Sequence, residues 1–264
     1  SAVVAPDDID VIVRTDRPVL ELARGAPSAV DKAIAAHVAS LIGDGATIQL
    51  GLGALPECIA ELLTDRRDLG LHSGLIGDSA MRLIQSGAIT NAHKPVDRGL
   101  SVTGTLLGTR ALFDFAHLND SIAMRPIAQT HSLSVIAALP RFTAINAALE
   151  VDLSGQANTE MAGGRYVGAI GGALDFLRGA RAAVGGAPIL ALPSAVDSKN
   201  GRRSRVVTQL NAPATIGRAD AAIVVTEHGI ADLRTLSLRG RAGALAAIAD
   251  PEFRDELKSA ATRQ

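Results

Sequence analysis

The sequence predicts an α/β fold built on an open, mostly parallel sheet with helices on both faces. Short runs rich in Val, Ile and Leu alternate with amphipathic stretches at helical spacing. The strand-like runs are apolar on both faces, as strands covered by helices on each side must be. Apolar residues make up 47% of the 264 and charged residues 20%, which supplies a substantial core and argues against disorder.

Residues 1–27 read as an extended arm or linker: Asp7, Asp8 and Asp10 surround Ile9, and Pro18 and Pro27 forbid a continuous helix. A single domain over 28–264 is expected to follow. It opens with a helix over 29–42, then a strand over 46–50 and a helix over 56–64. Next come a helix over 79–85, a strand over 100–104 and a helix over 110–116. Strands are expected at 121–124, 133–137 and 143–145, a helix at 173–183, and strands at 188–192 and 221–226. Helices over 236–249 and 251–260 close the chain.

Composition removes several functions. Aromatic residues are 2% of the chain, with no Trp and one Tyr (Tyr166), so the stacking platforms of single-strand binders are missing. A formal net charge of −1 gives no footprint for nucleic acid. The lone cysteine, Cys58, excludes an internal disulfide and a CxxC metal site, and reads as a buried inert thiol. His72, His131 and His228 form no metal-ligand spacing, so no metal is expected. No apolar run reaches membrane-spanning length and no basic region precedes the first apolar stretch, so a cytoplasmic protein is the expectation.

Two glycine-rich turns carry the chemical interest. Gly51-Leu52-Gly53 joins a strand to a helix, where free amides and the positive dipole end suit a phosphate or an oxyanion; it also reads as a plain tight turn. Gly163–Gly172 holds five glycines, and the pair Gly171-Gly172 can aim amides at a carbonyl oxygen or simply let a helix pack closely. Neither run completes GxGxxG, because Pro56 stands where the third glycine belongs, and no P-loop is present. Asp68 and Asp78 lie near the place where a dehydrogenase binds ribose, without that glycine pattern. Lys199, Arg202, Arg203 and Arg205 surround Gly201 and form either a phosphate-binding loop or a solvated one. Asp78 and Glu227 end strand-like segments, where carboxylates often cap helices.

Several stretches together resemble the acetyl-CoA hydrolase/transferase family, the class I CoA-transferases that include 4-hydroxybutyrate CoA-transferase. They are DGATIQLGLGALPECI (44–59), LGLHSGLIGDSAMRLIQSGAITN (69–91), TGTLLGTRALFDF (103–115), INAALEVDLSGQ (145–156), VGAIGGALDFLRGA (167–180), VVTEHGIADLR (224–234) and LAAIADPEFRDEL (245–257). The resemblance covers nearly the whole chain but only the C-terminal half of a usual member. It implies the NagB/RpiA/CoA-transferase type of fold, with coenzyme A as substrate and product, no metal, and acyl-CoA and a carboxylic acid as partners. A homo-oligomer or a separate N-terminal half is also implied. Members transfer CoA through an acyl-glutamyl anhydride, with backbone amides matching Leu52, Gly53, Gly171 and Gly172 holding the oxyanion. Gly168 falls beside CoA, and Lys199 and Arg203 are assigned to its phosphates. The nucleophilic glutamate of the family aligns with Gly74, and an asparagine of some members aligns with His131. Three readings follow: hydrolysis with His131 or Glu160 as general base, transfer through another carboxylate, or a catalytically silent CoA-binding half.

Overall fold

The computed structural model describes residues 4–22, 25–199, 201–220 and 222–262. Parts of three expected segments lie outside the described residues: residues 1–3, 23 and 24 of the arm, Asn200 of the cationic loop, and Ala221 of the last expected strand.

The main sheet is built from β1 (Thr47–Gln49), β2 (Gly70–Ile76), β3 (Ser101–Leu106) and β4 (Ile122–Met124). It continues with β5 (Thr143–Ala147), β6 (Ala187–Ala191), β7 (Ile223–Thr226) and β8 (Gly229–Asp232). Its spatial order is β8-β7-β6-β5-β1-β2-β3-β4. Neighbouring strands run parallel throughout except for the antiparallel β7–β8 pair at one edge. The chain steps outward from β1 to β4, then returns to lay β5 on the other side of β1. That reversal separates the carboxyl ends of β1 and β5, the place where open α/β sheets bind ligands.

The helices are α1 (Ala29–Ser40), α2 (Ala54–Leu62), α3 (Asp78–Gln85), α4 (Arg110–Ala116), α5 (Ile127–Thr130) and α6 (Leu133–Ala137). They are followed by α7 (Ala173–Ala182), α8 (Leu238–Ile248) and α9 (Arg254–Ala261). Helix α1 begins with a capping box: the Ser28 hydroxyl accepts from the Asp31 amide, and Asp31 accepts from the Ser28 amide.

The sheet divides two cores by simple alternation. Ile145, Ile189, Ile223 and Val225 pack with α1, α2 and α3, while Ala144, Leu190 and Val224 pack with α6 to α9 on the opposite face. Strands apolar at successive positions therefore serve both cores, and the expected architecture is the observed one.

One expected element needs correction, and two strands of the main sheet, β2 and β8, fall outside the expected ones. The run at 133–137, expected as a strand, is helix α6. A short apolar run carries no period of its own, and here Ile136 turns inward to pack on α7. Strand β2 was not anticipated, because Gly70 and Gly74 weaken its strand signal. Gly70 is required there: a Cβ at that position would stand 2.6 Å from Thr47 Oγ1 and 3.0 Å from Lys94 Cγ.

Candidate active site

A cavity of about 280 Å³ opens at the carboxyl ends of β1, β2 and β5, across the point where strand order reverses. Gly51, Gly74, His131, Asn146, Gly172 and Phe176 are among its lining residues, and His131 is the one ionisable side chain in that lining. No carboxylate is among those lining residues.

Beside β2 the fold places an imidazole where a larger side chain at position 74 would have to go. A Cβ on Gly74 would lie 2.7 Å from His131 Cε1, 2.9 Å from its Nε2 and 3.3 Å from Phe176. A Cβ on Gly172 would collide with the same ring. The two glycines and the histidine therefore fit as a set. The ring rests against Phe176, with centroids 4.6 Å apart and a tilt of 54°. Its Nδ1 lies 2.8 Å from the hydroxyl of buried Thr130. Burial pushes the His131 pKa down, against smaller upward pulls from Asp175 and the hydrogen bond involving Ile127.

Behind this ring, His72 on β2 is fully buried, and its Nε2 donates to the Thr130 carbonyl at 2.9 Å. Since a carbonyl only accepts, the proton of neutral His72 sits on Nε2, and Nδ1 is left buried without a partner. Burial holds its pKa down at about 4. Lys94, also buried, donates Nζ to the carbonyls of Leu71 and Leu100 at 3.0 and 2.6 Å, and burial lowers its pKa to about 8.

The opposite wall is an amide pair. Gln49 Oε1 accepts from the Ile145 amide at 3.1 Å and from Asn146 Nδ2 at 3.0 Å. Gln49 thereby extends the β1–β5 ladder with its side chain and aims Asn146 at the cavity mouth. One signal could have flagged it: Gln49 is a polar residue inside an otherwise apolar buried strand.

The sequence-expected residues are only partly brought together. His131 and Gly172 share the cavity beside β2, joined there by Gly51, while Leu52 and Gly53 are not among its lining residues. Leu52 and Gly53 line a smaller space of about 40 Å³ with Glu57, Asp78 and Gly108, Gly53 being the N-cap of α2 with φ +110°. Gly171 is exposed with φ +57°, and Gly168 is held by its amide to the Glu160 carbonyl at 3.1 Å. Lys199 is exposed at the tip of the hairpin formed by Ala195–Ser198 and Gly201–Ser204. Arg203, on that hairpin, lines two adjoining clefts that share Val207, Gln209 and Asn211. Its neighbour Arg202 is tied to Asp250 at 2.7 Å and to Asp197 at 3.1 Å. Glu160 is buried, accepts from the Thr215 hydroxyl at 2.7 Å and is not among the residues lining the His131 cavity. Among the described residues no cluster of three or more His, Cys, Asp or Glu is arranged to hold a metal ion, and no helix is long and apolar enough to cross a membrane.

Comparison with known proteins places this geometry. The family described as acetyl-CoA hydrolase/transferase C-terminal domain matches residues 108–261. The 4-hydroxybutyrate coenzyme A transferase of Clostridium kluyveri is 39% identical over 252 residues, covering 95% of this chain and 58% of the relative. The acetyl-CoA hydrolase of Kluyveromyces lactis is 30% identical over 199 residues, covering 74% of this chain and 36% of the relative. The crystal structure of RipA from Yersinia pestis superposes with a TM-score of 0.91 at 36% identity, over 97% of this chain and 58% of that one. The 4-hydroxybutyrate CoA-transferase of Porphyromonas gingivalis gives a TM-score of 0.85 at 36% identity, over 97% of this chain and 61% of that one. The chain thus spans little more than half the length of its closer relatives. The parallel sheet with its glycine turns and these matches lead to one conclusion: the chain belongs to the acetyl-CoA hydrolase/transferase family and corresponds to its C-terminal half.

Proposed function

We propose that this protein acts on a small acyl-CoA thioester by hydrolysis, without an acyl-enzyme intermediate at position 74. One observation carries the reading: the cavity lining holds an imidazole and no carboxylate. An anhydride route needs a carboxylate oxygen to attack the thioester, and Gly74 has none to offer. Water can attack instead. A C–O bond forms to the water oxygen, the C–S bond breaks, and the CoA sulfur leaves as a thiolate that takes up the proton the water releases. In this reading the imidazole of His131 serves the step at the carbonyl or at the water. A cavity of about 280 Å³ suits a short acyl group; Gly168, Gly171, Lys199 and Arg203 remain candidates for holding the rest of coenzyme A, and Leu52 and Gly53 for holding the oxyanion.

The test uses acetyl-, butyryl- and succinyl-CoA in ¹⁸O-water, with and without acceptor acids, read by mass spectrometry. Free CoA and singly labelled acid are expected, with turnover lost in His131→Ala. CoA appearing on the acceptor, or an acylated protein, would overturn hydrolysis in favour of transfer.

A second reading is a silent CoA-binding half that works with a separate N-terminal half. It is supported by coverage of only 58% of the Clostridium relative and by the exposed apolar residues Ile127, Leu133 and Ile170, of which Ile127 also lines the cavity. Turnover that appears only after an N-terminal half is supplied would favour it.

A further inference from the structure

We infer that His131 acts as a hydrogen-bond donor through Nε2–H toward the carbonyl oxygen of the bound thioester, with Thr130 and His72 as the positioning residues that fix this tautomer. The role rests on the reading of the cavity given above; the tautomer itself does not.

Thr130 is fully buried, and among the described residues its hydroxyl has one hydrogen-bond partner, His131 Nδ1 at 2.8 Å. A buried donor left unmet costs about 1–3 kcal/mol, so the hydroxyl proton goes to the acceptor that is present. Nδ1 must then be the bare nitrogen, and in a neutral imidazole the proton resides on Nε2. Burial pushes this ring toward its neutral form. A general base would need the opposite tautomer, which leaves the buried Thr130 proton without an acceptor among the described residues.

Nε2 lies over Gly74 and Gly172 in the cavity. The Thr130 carbonyl is fixed from behind by His72 Nε2–H at 2.9 Å, which clamps the last residue of α5 and with it the hydroxyl that sets the tautomer. A neutral imidazole in this state polarises a carbonyl instead of taking a proton. In that role its Nε2–H would meet the charge that develops on the thioester oxygen as water adds.

The tautomer is read directly by ¹⁵N NMR of histidine-labelled protein, with the His131 signals assigned by their loss in His131→Gln. A protonated Nε2 and a bare Nδ1 are expected, and Thr130→Val should redistribute the proton between the two nitrogens. A proton on Nδ1 in the wild-type protein overturns the assignment. The role is read by acyl-CoA turnover in variants whose circular dichroism matches wild type. Glutamine keeps an N–H near the Nε2 position without basicity, so His131→Gln should retain at least about a tenth of the activity. His131→Ala should lose about 100-fold or more, the usual effect of deleting one such donor. A Gln variant as inactive as the Ala variant overturns the donor role. Wild-type protein that turns over no thioester overturns the hydrolase reading and the role together, while the ring spectrum still decides the tautomer.

Discussion

Glycine inside a strand normally weakens it, so replacing it with alanine should help. Gly74 is expected to do the opposite, because its missing Cβ is the space that His131 fills. Gly74→Ala should cost about 1–3 kcal/mol, the range for overpacking a filled site. In a His131→Ala background the same change should cost less, since the atom it strikes is gone; the two sites touch and cannot be additive. Urea titrations of the four proteins measure this, and full additivity would contradict the packing described. The other residue-scale expectation is pH dependence. The folded pKa of His72 lies at about 4, below its ordinary 6.5, so the unfolded chain binds more protons between those values. Its contribution is complete above pH 6.5 and is lost as pH falls through about 4, amounting to about 3 kcal/mol. The depressed pKa of His131 acts in the same direction. Urea midpoints should fall across this window, and His72→Gln, which keeps a donor for the Thr130 carbonyl, should flatten the fall.

At the scale of elements, α6 and α7 pack so closely that Gly179, in the interior of α7, has no room for a methyl group against Ile136. Helix propensity alone favours alanine there by about 1 kcal/mol. The collision should outweigh it, so Gly179→Ala is expected to lower the thermal midpoint; a higher midpoint would mean that α6 yields. This contact also explains why 133–137 is a helix. Its five residues, Leu-Ser-Val-Ile-Ala, have strand-like composition, and only the presence of α7 decides which way Ile136 faces. The same element, with α5 before it, carries the loop that delivers His131 to the cavity.

At the scale of the whole molecule, residues 9–22 contain no helix or strand and expose Val11, Ile12, Val13, Val19 and Leu20. They touch the body where the Leu22 amide donates to the Gly108 carbonyl and Glu21 accepts from the Arg110 amide. With this apolar arm and the exposed residues Ile127, Leu133 and Ile170, a dimer or a hetero-assembly is expected in solution. Light scattering checks it, and a monomer at working concentration would count against it. The alternation of apolar runs and helical spacing determined the α/β class by itself, because both periods are local properties of the chain. Strand–turn–helix order likewise made the first glycine turn legible, and the quoted motifs carried the family. The sequence also gave Gly74 and His131 as separate oddities 57 positions apart. Only the tertiary structure decided that they are one feature, since a missing side chain and the ring that fills its place meet through packing. Nor could local pattern reveal the Gln49–Asn146 pair, 97 residues apart, or the route from His72 through Thr130 to His131. Those hydrogen bonds exist because strand order reverses at β1, and long-range sheet order is not encoded in any short stretch of residues.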